Sequence, residues 1–381
     1  MTPPVYLDYN ATTPVAPEVV EAAMRSMVAA YGNPSSSYSL GREAHATVEG
    51  ARAAVAELIG AAGADEVCFT GCATEANNLA LLGVARKLQA AKRHLVVSAI
   101  EHPAIMEPAL QLKREGWALT VVPVDGFGRV SATDVQAAMR PDTALVSIMH
   151  ANNEIGTIQP IREIADITRR NGILLHTDAA QSVGKIPVDV ETLGVDLLTL
   201  AGHKFHATKG IGALYVRRGT PIVNILFGAG QEHGLRPGTE NVPAIAGLGA
   251  ASRLARRRLP SVDARLRATR DVLHERLQAA VPGLVLNGHP TERLPNTLHV
   301  SFPGVSGRTL LQAASEHVAA SVGSACHSAG DAVSGVLAAI GCDAVRAAGA
   351  VRLSTGWPTS MDDIERAASA LVLAWRRLVE P

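Results

Sequence analysis

The sequence predicts an α/β protein with a mostly parallel central sheet and a smaller α+β domain. Three observations predict it. Short apolar segments alternate with longer stretches of helical periodicity through the middle of the chain. Four of those apolar segments run directly into polar clusters. Beyond about residue 255 the pattern changes to long Ala/Arg/Leu-rich helices with two short strands.

In chain order, residues 95–99, 120–124, 144–149, 173–177, 197–200 and 213–216 read as strands. Residues 160–170 carry helical spacing between two of them. Repeated strand–helix alternation is the mark of parallel strands joined by helical crossovers. Sheets of this kind place ligands beyond the carboxyl ends of their strands. There the chain has Glu101-His102, Asn152-Asn153-Glu154, Asp178 and His203-Lys204. Four polar clusters at four strand ends predict one shared site. Helices over 263–280 and 362–378, with strands over 298–301 and 350–353, make the smaller domain. The first dozen residues are too few to fold alone and are assigned to it. The expected division is a large domain over 14–255 and a small one over 1–13 and 256–381.

A chain of 381 residues can bury two cores. Its 47% hydrophobic and 18% charged residues exclude an intrinsically disordered chain. The 35 basic residues balance the 35 acidic ones, so bulk charge supports neither nucleic-acid nor membrane binding. The basic run from Arg253 to Arg258 reads as the solvated face of a helix. The N-terminus has no signal-peptide pattern, and no apolar run reaches the roughly 18 residues of a membrane span. A cytoplasmic protein is expected. Its four cysteines form neither a disulfide framework nor a paired zinc motif, so no metal is expected and a free reactive thiol is plausible.

Each strand-end cluster suggests a chemistry. Thr70-Gly71-Cys72-Ala73-Thr74 follows one apolar strand and opens the apolar helix 79–88. A small-residue turn at a helix N-terminus suits a phosphate, although Thr74 could equally be an ordinary N-cap. Asp178 could pair with a protonated ring nitrogen, or simply cap the turn that follows it. Lys204, shielded behind a strand, could supply the neutral amine of a Schiff base, or be a surface lysine. His102 could stack on a ring or act as an acid or base. Cys326 sits in Ser321-Val322-Gly323-Ser324-Ala325-Cys326-His327-Ser328, a run of loop composition that favours an accessible thiol. Cys68 and Cys342 read as structural.

Taken together, the ordered motifs resemble the class V aminotransferases, and within them the cysteine desulfurase and selenocysteine lyase branch. The likeness runs from Tyr6-Leu7-Asp8-Tyr9-Asn10-Ala11-Thr12-Thr13-Pro14 through Gly32-Asn33-Pro34-Ser35-Ser36, the Thr74 turn and Glu101-His102. It continues through Asn152-Asn153-Glu154, His176-Thr177-Asp178-Ala179-Ala180-Gln181, Gly202-His203-Lys204 and Arg236-Pro237-Gly238-Thr239. It closes with Gly323-Ser324-Ala325-Cys326 and Arg352-Leu353-Ser354.

The resemblance implies the fold type I of pyridoxal-phosphate-dependent transferases, pyridoxal 5'-phosphate as cofactor, and a homodimer. It implies that Lys204 forms the covalent link to the cofactor. Ala73, Thr74 and His203 would hold its phosphate, and Thr239 would reach the phosphate in the neighbouring subunit. Asp178 would meet the pyridine nitrogen, Gln181 the phenolic oxygen, and His102 the ring face. Asn153 and Arg352, with Asn33, would receive the substrate. Cys326 would take sulfur from L-cysteine as a persulfide, leaving alanine, and pass it to an acceptor protein whose identity stays open. Selenocysteine lyase is the alternative; Tyr38 and His327 stand where desulfurases usually carry His and Thr. The nine residues between Cys326 and Val336 match the long-loop branch. Ala201, Cys72, Trp357 and Val333 depart from the residues usual at their positions, which are Ser, Gly, Arg and Pro.

Overall fold

The computed structural model describes residues 3–323 and 334–379; Cys326, His327 and Val333 lie outside the described residues. The chain opens with β1 (Val5–Tyr6), α1 (Pro17–Ala29), α2 (Ser39–Ile59), β2 (Val67–Thr70) and α3 (Ala73–Leu88). Next come β3 (His94–Ser98), α4 (Pro103–Arg114), β4 (Ala118–Val122), α5 (Ala132–Ala138), β5 (Thr143–Ser147) and α6 (Ile161–Arg170). β6 (Leu174–Asp178), α7 (Val190–Leu193), β7 (Leu197–Ala201), β8 (Gly212–Val216) and the long α8 (Val242–Ala280) follow. The last part holds β9 (Val285–Leu286), β10 (Thr297–Ser301), α9 (Gly307–Ala313), β11 (Val318–Ala319), α10 (Gly335–Ala339), α11 (Ala344–Ala348), β12 (Ala350–Ser354) and α12 (Met361–Val379).

Seven strands form the central sheet in the order β2-β8-β7-β6-β5-β3-β4. All neighbours are parallel except β8, which runs antiparallel to both β2 and β7. The cause is local. Residues 202–211 between β7 and β8 contain only a short 3-10 turn, too little chain for a helical crossover. β2 therefore points the same way as β7, and its carboxyl end joins the edge where the other polar clusters lie.

Side chains alternate across the sheet, and each face buries its own core. Val96, Val146, Leu198 and Tyr215 pack with residues of α1, α2, α6 and α8. Leu95, Val97, Leu145, Leu197 and Leu214 pack with α3 and α4 on the other face. A separate cluster joins Val5 and Leu7 to Leu273, Leu298, Val300, Leu353 and Leu371. The N-terminal strand belongs to this second core because β1 pairs in parallel with β11, and Asp8 bridges Ser354.

Helix α8 passes through position 255 without a break, so no loop marks the change of core. Its first half packs on α1 and α2, and its second half meets α12. The sequence reading began a helix only at 263. Pro260 does not stop the helix; it stands on an exposed position, as do Arg253, Arg256 and Arg257. The basic run is thus a solvated face, with Arg256 paired to Glu57 and Arg258 stacked on Trp357. No helix among the described residues is long and apolar enough to cross a membrane.

Candidate active site

Lys204 ends the turn that follows β7. Its Nζ donates to the carbonyl oxygens of Asn10 (2.6 Å) and Ala11 (2.8 Å). The N-terminal segment is itself tied down beside the lysine. The Thr13 amide and hydroxyl both donate to the His203 carbonyl, at 2.9 and 3.0 Å. His203 Nδ1 lies 3.1 Å from the Thr12 hydroxyl. Burial, then the charge of Lys204, lowers the His203 pKa to about 4, so the ring is neutral.

Asp178 is the last residue of β6 and is buried. Its Oδ1 accepts from the Ala180 amide (2.9 Å), and its Oδ2 from Asn77 Nδ2 (2.7 Å). It therefore does cap the following turn. The two donors, one of them on α3, also fix the orientation of this buried carboxyl group. Asn77, which the sequence reading passed over, leaves its own Oδ1 without a partner among the described residues.

Helix α3 starts at Ala73, six residues before the apolar run that signalled it. Cys72 is the N-cap and Thr74 the second helical residue, so the alternative of Thr74 as an N-cap does not hold. No side chain among the described residues caps the helix, and Thr74 is exposed. The turn is kept open by Gly212, where a Cβ would come within 2.8 Å of the Cys72 carbonyl carbon and 2.9 Å of the Ala73 nitrogen. An uncapped N-terminus of a sixteen-residue helix presents free amides and a positive dipole end to an anion.

His102 is the N-cap of α4, with Nδ1 accepting from the Ala104 amide (3.1 Å). Burial lowers its pKa; Asp178 opposes the shift and Lys204 adds to it. A neutral ring that accepts at Nδ1 carries its proton on Nε2.

Glu101, beside it, is buried, with Oε1 accepting from the Ser98 hydroxyl (2.5 Å) and the Met149 amide (2.9 Å). Burial pushes its carboxyl up to about 8 against those two hydrogen bonds. Its folded pKa stands above the ordinary 4.5, so its stabilising contribution is complete below pH 4.5 and is lost as pH rises through 8. Glu101→Gln cannot ionise. Its denaturant midpoint is expected to fall less than that of the wild type between pH 5 and pH 9, and equal falls would refute this account.

Asn153 and Arg352 meet through the Asn153 carbonyl, which accepts from Arg352 Nη1 (3.0 Å). Arg352 Nη2 pairs with Asp8 Oδ1 (2.7 Å), and its Nε has no partner among the described residues. Nη1 also donates to the Gly323 carbonyl (2.8 Å). Ser334 donates to Glu154 Oε2 (2.6 Å). Both flanks of 324–333, the stretch that contains Cys326, are therefore held beside Arg352 and Glu154.

Gln181 Nε2 donates to the Asn10 carbonyl (3.0 Å), the same oxygen that receives Lys204. The hub of the site is Asn10, to which the sequence reading assigned no role although it quoted the motif. No local signal marked it, because its partners lie far along the chain. Asn33 and Thr239 are not brought to this hub. Both are exposed, and their flanking residues Pro34, Ser35 and Glu240 line a separate cavity of about 440 Å³.

Residues 5–367 match the family described as aminotransferase class-V. The chain belongs to that family. A cysteine desulfurase IscS of Dictyoglomus turgidum is 44% identical over 94% of this chain and 91% of its own length. A cysteine desulfurase IscS of Methanosarcina thermophila is 44% identical over 95% of this chain and 89% of its own. A solved structure described as a NifS-like protein superposes with a TM-score of 0.91 at 36% identity, covering 97% of this chain and 98% of its own. The fold is that of the type I pyridoxal-phosphate enzymes, and pyridoxal 5'-phosphate is the cofactor. The residues present fit that group: a shielded lysine, a buried carboxylate held by two donors, and an uncapped helix N-terminus at one sheet edge.

Proposed function

We propose that the chain is a cysteine desulfurase, converting L-cysteine to L-alanine and passing the sulfur through a persulfide on Cys326 to an acceptor protein. The observation that carries this reading is the bond from Arg352 to Gly323. It ties the cation suited to a substrate carboxylate to the chain three residues before a thiol. When bound, pyridoxal phosphate supplies the electron sink for a carbanion at the substrate's α-carbon.

The protein does the rest. Lys204 and His203 rest against the N-terminal segment; the first would serve as cofactor lysine and proton carrier, and the second would hold the phosphate with Ala73 and Thr74. Asp178 would meet the ring nitrogen of the bound cofactor, Gln181 the phenolic oxygen, and the neutral His102 the ring. Arg352 and Asn153 orient the substrate carboxylate, with Asp8 giving up its hold on Nη2. The Cys326 thiolate attacks the substrate sulfur. The S–S bond forms as the carbon–sulfur bond breaks, and the carbon takes a proton to become alanine.

Two parts of this reading concern assembly. The separate cores support two domains, 14–255 and 1–13 with 256–381, that share helix α8. The exposed Thr239 and Asn33 suit a homodimer in which Thr239 reaches the partner's cofactor. The chain's balanced charge fits a cytoplasmic enzyme with a protein acceptor rather than a nucleic acid or a membrane.

The test is direct. Purified protein should be yellow and release sulfide from cysteine with a reductant present. Cys326→Ala should keep the colour and lose sulfide release. Full release by Cys326→Ala would overturn the reading.

A further inference from the structure

A second lysine stands at the same centre. Lys185 follows Gln181 by one turn and is only 6% exposed. Its Nζ donates to Gln181 Oε1 and Asn10 Oδ1, each at 2.9 Å. Neither acceptor is a carboxylate. The charged groups facing it are Lys204 and Arg352, with His203 nearby, all able to carry the same sign. Burial first, then those two cations, drives its pKa well below the usual lysine range. Packing alone does not account for an amine here, since an apolar side chain of like volume would fill the space without that cost.

The two acceptors explain it. With its oxygen held by Lys185, the Gln181 amide must turn its nitrogen the other way, toward the Asn10 carbonyl. Asn10 is gripped at every polar atom. Its Oδ1 takes Lys185 and Asn296, its Nδ2 reaches Thr297 and the Asn153 carbonyl, and its amide reaches Ser354. Its carbonyl then receives Lys204.

We propose that Lys185 is a positioning residue for the Lys204 centre: it fixes the Gln181 amide and the Asn10 side chain, and so sets where the Lys204 amine and the Gln181 donor stand. The proposal rests on the reading of Lys204 as the cofactor lysine and Gln181 as donor to the phenolic oxygen.

The experiment uses substrate-free holoenzyme and the pH midpoint of its visible absorption change. Losing a donor held at the phenolic oxygen makes that oxygen and the paired lysine nitrogen more basic, so the midpoint should rise. Lys185→Met and Gln181→Ala are each expected to raise it by about one pH unit. The double variant should rise no further than either alone, because both act through one amide. Lys185→Gln, which keeps a donor in the cavity, should lie nearer the wild type. Cofactor dissociation should quicken about tenfold in Lys185→Met, in line with a loss of roughly 1.4 kcal/mol.

A wild-type midpoint in folded Lys185→Met, or additive shifts in the double variant, would overturn the proposal. Should Lys185→Met not fold, an unchanged midpoint in Gln181→Ala would do the same. A wild-type protein with no visible band would instead remove the cofactor reading on which all of this rests.

Discussion

Lys204→Ala is expected to lose the visible band and at least about 10⁴-fold of sulfide release, because in the proposed function one residue supplies both the covalent attachment and the proton transfer. The geometry says why no neighbour substitutes. Lys204 Nζ is held by two backbone carbonyls at the strand-end edge, and those oxygens cannot move without disturbing the Thr12 and Thr13 contacts to His203. Lys185 points to Asn10 Oδ1 and Gln181, away from that position. The variant also leaves the Asn10 and Ala11 carbonyls short of a donor, so a modest fall in stability of about 1–3 kcal/mol should accompany it. Sulfide release and absorbance on the same preparation check both parts. Retention of more than a few per cent of wild-type turnover would show that Lys204 is not the cofactor lysine.

Arg52→Met is expected to cost about 3–5 kcal/mol in denaturant unfolding, because it strands a buried carboxylate. Arg52 on α2 meets Glu232 with two parallel contacts, Nη1 to Oε2 at 2.7 Å and Nη2 to Oε1 at 2.9 Å. Both side chains are at most 4% exposed. Glu232 Oε2 also accepts from the Phe69 amide on β2 (2.7 Å). The backbone at Glu232 and His233 is left-handed, with φ of 48° and 57°, which non-glycine residues adopt only when the surroundings hold them there. The pair is that restraint. It anchors the loop that carries Arg236, whose partner Glu75 also accepts from the Gly71 amide in the turn before α3. The double variant Arg52→Met, Glu232→Leu should recover much of the loss by removing the stranded charge. If the double variant were as unstable as Arg52→Met, packing rather than charge would be the cause.

Much of the site was legible beforehand because its polar residues interrupt apolar runs. Asp178 ends a strand and His102 and Lys204 follow one, and a strand's end is a position that pattern alone reveals. Asn10, Asn77 and Lys185 were not legible as site residues. Asn10 lies in a turn beyond the two-residue β1, where no period can show, and its seven hydrogen bonds come from segments up to 344 residues away. Asn77 and Lys185 fall inside or just beyond ordinary helical and turn patterns. Only the approach of α3 to β6, and of the N-terminal segment to the β7 turn, reveals what they hold.

The sequence by itself determined the fold class, the parallel run of strands, the family and the place of the lysine and carboxylate at strand ends, because these depend on local periodicity and on residue types at strand ends. Tertiary structure decided the rest. The antiparallel turn of β8, the unbroken passage of α8 between two cores, and the pairing of Arg352 with Asp8 depend on which segments meet in space. So does the network that joins two lysines through one asparagine. Hydrogen bonds between residues hundreds of positions apart leave no period in the chain, and the cost of burying a cation appears only once its neighbours are in place.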